Sequence, residues 1–278
     1  MEKKVVLITG CSSGIGLSLA VRLASDTSKV FKYATMRNLA KKERLLDCVK
    51  GLHQDTLEIL QMDVTDRQSI LTARDKVVEK RVDILCNAGV GLMGPLEVQS
   101  LDSMRHVLEV NLLGTIQTMQ VFLSGMKAQG QGRILVTGST GGLHLPFNEV
   151  YCASKFAIEG ACESLAVLLQ HFNILSLIEC GPVNSDFLIN LQKAELGDSS
   201  LQQVDGRTLS LYEKYLQHCS TVFQNAAQDT EDIVFLDAIH SASPAFRYFT
   251  NSVMPPLTKL KVTEPDGMEY IKAMSKII

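Results

Sequence analysis

Short apolar runs alternate with longer amphipathic stretches through most of this 278-residue chain. The first run, Val5–Ile8, is apolar at every position, which is typical of a strand covered on both faces of a parallel sheet. The same pattern predicts strands at 30–35, 57–62, 82–86, 133–137, 174–178 and 246–250, and helices at 14–25, 39–51, 66–79, 101–127, 150–171 and 230–241. This alternation predicts an α/β fold with a single Rossmann-type doubly wound parallel sheet.

Composition excludes several classes of function. The 27 Lys+Arg and 30 Asp+Glu residues give a formal charge of −3, which argues against a broad nucleic-acid-binding surface. The seven cysteines contain no Cys-x-x-Cys pair and most lie in apolar runs, so we expect buried free thiols and a cytoplasmic, reducing environment. The six histidines show no His-x-x-x-His spacing, so no metal site is expected. No apolar run is long enough to predict a membrane span.

A glycine-rich turn joins the first strand to the first helix. Residues 9–16 read Thr-Gly-Cys-Ser-Ser-Gly-Ile-Gly, a variant of the dinucleotide-binding fingerprint. Glycines allow the tight turn and let the backbone approach a pyrophosphate, which the helix N-terminus attracts. A purely structural turn is the alternative, but the position on the first of several βα units favours a cofactor site. The residues expected to contact the cofactor here are Gly10, Ser12, Ser13, Gly14, Ile15 and Gly16.

The end of the second strand indicates which dinucleotide is bound. NAD sites often place a carboxylate about 20 residues after the glycines, where it holds the ribose hydroxyls. Residues 34–38 contain no acid but include Arg37, whose guanidinium can pair with a 2′-phosphate. We therefore expect NADP(H) in preference to NAD(H), with Ser12 as a second donor. The alternative is that Arg37 is only a solvated surface charge.

Polar or small residues also follow the third and fourth strands. Asp63, followed by Val64, ends the third strand, where its carboxylate can accept a hydrogen bond from the adenine amino group. A helix N-cap is nearly as good an interpretation of Asp63. Residues 87–89, Asn-Ala-Gly, follow the fourth strand, and their small size lets the backbone pass beneath a cofactor. We assign Asn87, Ala88 and Gly89 to the cofactor site.

Tyr151 and Lys155 lie four residues apart at the start of a predicted helix, and so on one face of it. Lowering a phenol pKa from about 10 to about 7 requires roughly 4 kcal/mol. One cation about 4 Å away supplies about that much at an effective dielectric constant near 20. We therefore expect Tyr151 to act as a general acid–base near neutral pH, with Lys155 as its cation. The alternative is an ordinary pair on a helix surface.

Two further side chains complete a candidate catalytic set. Ser139 follows the fifth strand, where its hydroxyl can bind a substrate oxygen and oppose developing charge; a simple turn residue is the alternative. Asn111 lies in a long apolar helix, and a buried amide needs partners. It is either a local structural hydrogen-bonding residue or a relay to Lys155. The conjunction of these residues, each near the end of its element, favours catalysis.

The regular alternation stops near residue 182. Residues 184–230 are polar and helix-prone, with turn signals at Gly197 and Gly206. We expect one domain: 1–182 form the cofactor-binding and catalytic core, and 183–230 a helical substrate-covering insertion near the C-terminus. Residues 231–278 then form the last helix, a strand and a tail.

With these motifs the chain resembles the short-chain dehydrogenase/reductase family over roughly residues 3–250. The resemblance rests on residues 9–16, 87–89, Asn111, Ser139, Tyr151 with Lys155, and Gly181-Pro182. Segments 8–17, 151–157 and 178–183 are similar to the family's 17β-hydroxysteroid dehydrogenases and, next, to its retinol dehydrogenases. This implies NADP(H)-dependent interconversion of estrone and estradiol, with retinol and retinal as the alternative substrates. A non-catalytic dinucleotide-binding sensor is a further alternative, because fold alone does not imply catalysis.

The resemblance also implies further contacts. Cofactor contacts would extend to Gly181, Pro182 and Val183. Besides Ser139 and Tyr151, the substrate would be lined by Leu143, Val150, Phe187, His218 and Phe223, together with Pro182 and Tyr215. A homodimer would form through the helices predicted at 101–127 and 150–171.

Overall fold

The computed structural model describes residues 4–25, 30–52, 56–79, 82–130, 132–140, 145–169, 172, 175–183, 201–226, 230–250 and 271. Within these residues lies a sheet of seven strands, every neighbouring pair parallel. The strands are β1 Val5–Ile8, β2 Phe31–Met36, β3 Leu57–Gln61, β4 Asp83–Cys86, β5 Ile134–Thr137, β6 Leu175–Glu179 and β7 Arg247–Phe249. Their order is β3-β2-β1-β4-β5-β6-β7. The predicted doubly wound parallel sheet is confirmed.

Helices cover both faces of this sheet. They are α1 Gly14–Ser25, α2 Lys42–Cys48, α3 Arg67–Lys76, α4 Leu101–Leu108, α5 Thr115–Gln129, α6 Glu149–Leu169, α7 Gly206–Gln224 and α8 Thr230–His240. One apolar core joins the sheet to α3, α5 and α6, for example through Ile70, Phe122 and Ile158. A second core on the opposite face joins it to α1, α2 and α8, for example through Leu23 and Phe235.

The strand order reverses between β1 and β4. From β1 the chain builds outward to β2 and β3, and then returns to place β4 on the other side of β1. The connections after β1 and β4 therefore leave in opposite directions and open a crevice at the carboxyl ends of these strands. Thr9 and Asn87 directly follow the two strands, so the motifs recognised in the sequence lie at this switch point.

The long helix predicted at 101–127 is interrupted in its middle. Between α4 and α5, residues Glu109–Gly114 form a π-helical segment in which each turn is wider by one residue. Asn111 lies in this segment and is 2% exposed. The local change of helical phase accompanies the hydrogen bonds that Asn111 makes outside its own helix.

The region after β6 contributes α7, which packs against the loop after β4 and the segment before α6. Asp205 caps the helix, its carboxylate accepting from the N–H groups of Arg207 and Thr208 at 3.0 and 3.1 Å. A small apolar cluster of Met93, Tyr215 and Cys219 joins α7 to the loops after β4 and before α6. None of the described helices is long and apolar enough to cross a membrane.

Candidate active site

The glycine turn after β1 is packed so tightly that no side chain fits at Gly10 or Gly16. Gly10 has a φ of +77°, and a Cβ there would lie 2.9 Å from Cα of Ala88. A Cβ on Gly16 would lie 2.5 Å from the carbonyl oxygen of Gly10 and 2.6 Å from Nδ2 of Asn87. The glycines thus bring the N-terminus of α1, with its N–H groups and positive partial charge, to the edge of the crevice. This arrangement fits a pyrophosphate.

The remaining residues of this turn are partly accessible. The Cys11 N–H donates to the carbonyl oxygen of Thr35 at 2.8 Å and ties the turn to the end of β2. Half-buried residues then carry the chain into α1, namely Ser12, Ser13, Gly14 and Ile15. Their accessibility is compatible with the predicted contacts to a cofactor.

Thr9 and Asn87 join the ends of β1 and β4. The Thr9 hydroxyl accepts from the N–H groups of Asn87 and Ala88, both at 2.9 Å, and Nδ2 of Asn87 donates to the Thr9 carbonyl oxygen at 3.0 Å. These bonds hold the carboxyl ends of β1 and β4 together. Gly89 follows, and a Cβ there would approach Oδ1 of Asn111 to 3.4 Å and Nζ of Lys155 to 3.9 Å. The 87–89 segment therefore links the cofactor end of the crevice to the catalytic end.

The residues predicted to contact the adenosine end of the cofactor differ in whether they are hydrogen-bonded within the protein. Arg37 follows β2 and is exposed. Oδ1 of Asp63 accepts from the N–H of Thr65 at 2.9 Å and from its hydroxyl at 2.8 Å, while the N-cap of α3 is Asp66. Asp63 thus stabilises a turn through one of its two oxygens. Val64 is buried against Gly114.

Tyr151 lies in the first turn of α6 with its phenol buried beside Ser139. The residue is 7% exposed. Burial raises the pKa of the Tyr151 phenol well above its usual range, and a hydrogen bond with the Ser139 side chain partly opposes this rise. The protein's own groups therefore do not lower the Tyr151 pKa toward the predicted 7, because burial dominates and the nearby charge of Glu179 raises the pKa further.

Lys155 lies one turn further along α6. Its Nζ is 5.9 Å from the centre of the Tyr151 ring and donates to the carbonyl oxygen of Thr137 at 2.9 Å. Burial lowers the pKa of Lys155, and the charge of Glu179 opposes this change. The ammonium is therefore anchored at the carboxyl end of β5 and lies beside the phenol ring.

Asn111 connects three parts of the site. Its Oδ1 accepts from the N–H of Val90 at 2.8 Å, and its Nδ2 donates to the carbonyl oxygen of Val90 at 2.8 Å and to Oγ of Ser154 at 3.0 Å. Ser154 in turn donates to the carbonyl oxygen of Tyr151 at 2.6 Å. These bonds agree with the interpretation of Asn111 as a structural hydrogen-bonding residue. The relay from Asn111 to Lys155 stays a prediction.

Two of the predicted substrate contacts, Leu143 and Phe187, lie outside the described residues. Val150 is half-buried next to Tyr151, and Pro182 and Val183 are half-buried after β6, where the Gly181 N–H donates to Oγ1 of Thr250 at 2.8 Å. On α7, His218 is exposed, Phe223 packs against the small apolar cluster and Tyr215 is fully buried.

The two residues that precede α6 contact Tyr215. Nδ2 of Asn148 donates to the Tyr215 hydroxyl at 3.3 Å, and the Phe147 ring packs 5.8 Å from the Tyr215 ring. Phe147 has a φ of +57°, a conformation uncommon for a bulky residue. These contacts couple α7 to the segment that carries Tyr151.

Three polar residues of the site were not predicted from the sequence as functional side chains, namely Thr9, Ser154 and Glu179. The Thr9 hydroxyl accepts from the backbone N–H groups of Asn87 and Ala88, and the Ser154 hydroxyl accepts from the Asn111 side chain. These bonds join segments far apart in the chain, so no local sequence pattern predicts them. Glu179 ends a strand that is buried at every position and lies behind Ser139, with the Ser139 N–H donating to its carboxylate. A charged residue at the end of a buried strand is a signal that was available in the sequence.

Known proteins resemble the chain over its whole length. The short chain dehydrogenase family model matches residues 4–196. The human 17-beta-hydroxysteroid dehydrogenase type 1 is 50% identical over 284 residues, covering 99% of this chain and 86% of that protein. Human retinol dehydrogenase 8 is 40% identical over 282 residues, covering 99% and 90%. A short chain dehydrogenase/reductase from Burkholderia phymatum, solved in complex with NAD, has a TM-score of 0.78 at 22% identity and covers 96% of this chain and 95% of that chain.

The family model and these relatives show that the chain is an oxidoreductase. The chain belongs to the short-chain dehydrogenase family, whose members use NAD or NADP. The likeness to the bacterial structure supports the fold alone.

Proposed function

We propose that this chain is an NADP(H)-dependent 17β-hydroxysteroid dehydrogenase that interconverts estrone and estradiol. The observation that carries the proposal is the buried Tyr151 with Ser139 hydrogen-bonded to it and Lys155 beside its ring. The 50% identity to the human 17-beta-hydroxysteroid dehydrogenase type 1, over 99% of this chain, supports the choice of a steroid substrate. Residues 1–182 would form the core, and α7, within 183–230, the substrate cover.

The protein's own side chains divide the reaction between them. When bound, the cofactor supplies the hydride for reduction or accepts it for oxidation. Ser139 and Tyr151 donate hydrogen bonds to the carbonyl oxygen and oppose the negative charge that grows on it. Tyr151 then donates its proton to that oxygen as a general acid. Lys155, fixed by the Thr137 carbonyl, stabilises the phenolate that remains.

Tyr151 acts as a proton donor in one direction of the reaction and as a proton acceptor in the other. Burial raises the pKa of this phenol and so favours the protonated form, which can donate to a ketone oxygen. Oxidation of an alcohol needs the phenolate, which the Lys155 ammonium beside the ring would stabilise.

A substrate panel tests the function and separates it from the alternatives. We expect NADPH-dependent reduction of estrone to exceed that of all-trans-retinal, as measured by kcat/KM for each. Faster turnover of retinal would favour the retinol dehydrogenase alternative, which the 40% identity to human retinol dehydrogenase 8 supports. Cofactor binding with no turnover of any carbonyl compound would leave only the role of a dinucleotide-binding sensor.

The same assay with Arg37→Ala tests the cofactor preference. Loss of a charge-assisted bond to the 2′-phosphate is expected to raise the KM for NADPH by about 10- to 100-fold and to leave that for NADH nearly unchanged. Lys50→Ala, which removes an exposed cation beyond the end of α2, is the matched control. Equal effects of Arg37→Ala on both cofactors would contradict the assignment.

We also propose a cytoplasmic homodimer. All seven cysteines are free, and free thiols suit a reducing environment, although Cys48 is exposed and Cys152 half-buried rather than buried as expected. Large apolar side chains are exposed on α6, where Phe156 is 38% and Val167 67% exposed, and Leu113 in the π-helical segment is 47% exposed. Such side chains are typical of an interface. Sedimentation of the pure protein should give twice the mass of the chain, and a monomer would contradict the proposal.

A further inference from the structure

Glu179 lies at the end of β6 with its carboxylate buried behind the reactive serine. The residue is 2% exposed. A Cβ added to Gly138 would lie 2.7 Å from Oε2 of Glu179 and 2.8 Å from Oε1, so the carboxylate packs against the Cα of Gly138. The N–H of the next residue, Ser139, donates to it. The carboxylate thus holds the backbone from which the Ser139 hydroxyl extends.

This carboxylate is only partly satisfied. Within the described residues, Oε1 of Glu179 has no hydrogen-bond partner. A buried acid with an unmade hydrogen bond costs stability, and a neutral residue of similar size is often tolerated better in such a place. Its presence at this position is not explained by packing.

Charged groups approach Glu179 from two neighbouring elements. On α6, the Lys155 ammonium attracts its carboxylate and the Glu159 carboxylate repels it, while on β7 the Arg247 guanidinium attracts it. Arg247 also forms ion pairs with Glu159 and, at 2.8 Å, with Glu163. Glu179 is therefore the acid that connects this outer ion-pair network to the lysine of the reactive set.

The balance of these charges places the titration of Glu179 near neutrality. Burial and the repulsion by Glu159 raise the pKa of Glu179 to about 7, although Arg247 and Lys155 oppose the rise. The Cys162 thiol also faces this group, and burial raises its pKa to about 12, so it remains uncharged at neutral pH. The Tyr151 phenol faces the group as well and remains protonated there.

We propose that Glu179 is a positioning residue for ketone reduction: its ionised carboxylate fixes the Ser139 peptide and compensates the buried ammonium of Lys155. The proposal rests on the reductase function proposed above. A buried ammonium tends to lose its proton unless an opposite charge lies near, and a displaced Ser139 hydroxyl supports the transition state less well. Both effects act through other residues, since no bond from Glu179 to the substrate is needed.

The pH dependence of kcat tests this role. At pH 8, where Glu179 is ionised, Glu179→Gln is expected to lower kcat for estrone reduction by about tenfold or more, with little change in KM. As the pH falls through about 7, wild-type Glu179 takes up a proton, so the kcat ratio of wild type to variant should approach about 1 near pH 5.5. A ratio that does not change with pH overturns the proposal, because a merely structural role would produce it.

Two further variants control for misfolding and for nonspecific effects of charge. Glu163→Gln removes an acid that shares Arg247 but lies away from Ser139, and its kcat should match wild type at every pH. Gly138→Ala should lower kcat by displacing the carboxylate, and this loss should shrink in a Glu179→Ala background, where the methyl group has room. Additive losses in the double variant would contradict the contact between the two residues.

A readout that does not require turnover separates this inference from the proposed function. In the isolated protein, the infrared band of a protonated carboxyl group should disappear on raising the pH from about 6 to about 8, and should be missing in Glu179→Gln. Failure to see this titration overturns the role of Glu179. Absence of steroid reduction by wild type, with the band present, refutes the substrate assignment alone.

Discussion

Tyr151→Phe is expected to lower kcat for estrone reduction by about 10³-fold, within the range of general acid–base catalysis. The substitution removes the proton donor and leaves the buried ring, so KM for the steroid and the affinity for NADPH should change little. The pH profiles of wild type supply a second measurement. Because burial raises the pKa of Tyr151 and keeps the phenol protonated, the rate of reduction should show no alkaline loss between about pH 7 and about pH 9.

Tyr33→Phe is the matched control for this variant. It removes a phenol hydroxyl that donates to Oε2 of Glu79 at 2.7 Å, on a residue that is 1% exposed within β2 and far from the reactive set. Its kcat should remain near that of wild type. If Tyr151→Phe kept near-full turnover with cofactor still bound, Tyr151 would not be the acid.

Gly16→Ala is expected to abolish measurable cofactor binding, a rise in Kd of about 100-fold or more. The new Cβ would lie 2.5 Å from the Gly10 carbonyl oxygen and 2.6 Å from Nδ2 of Asn87, distances that real Cβ atoms do not adopt. Because the Gly10 neighbour is backbone, relief requires the turn to move, and the N–H groups at the start of α1 move with it. Isothermal titration with NADPH measures the loss, and thermal unfolding measures the accompanying destabilisation.

Gly125→Ala provides the comparison, since a Cβ added at that position in α5 meets nothing within 4 Å. The change should raise helix stability by up to about 1 kcal/mol and leave cofactor affinity unaltered. Equal NADPH affinity of Gly16→Ala and wild type would show that the turn is not a cofactor cradle.

The sheet could be predicted because a few consecutive residues are enough to indicate each strand. Strands such as Val5–Ile8 and Asp83–Cys86 read as buried from a few consecutive apolar residues, and the glycine turn between β1 and α1 is a contiguous motif. The positions of Ser139, Tyr151 and Lys155 at element ends followed from the same reading. Helix boundaries were less accurate: the predicted 39–51 helix is a 3₁₀ turn at Leu39–Lys41 followed by α2.

The roles of individual polar residues were harder to predict. Asn111 had two open interpretations, because whether an amide pairs with Val90, Ser154 or Lys155 depends on segments far apart in the chain. The Tyr151 pKa was predicted too low, since the estimate included the cation and left out the burial that opposes it. Both questions depend on which side chains lie close together in the folded protein and on how far water is excluded from them.

By itself the sequence determined the doubly wound sheet and predicted the cofactor turn and the candidate reactive side chains, because hydrophobic period and motif spacing are properties of neighbouring residues. Only the tertiary structure decided how these side chains are charged and held. Burial keeps Tyr151 protonated, the Thr137 carbonyl anchors Lys155, and β6 places Glu179 behind Ser139. Desolvation and charge pairing depend on distances between elements, and these exist only once the chain has folded.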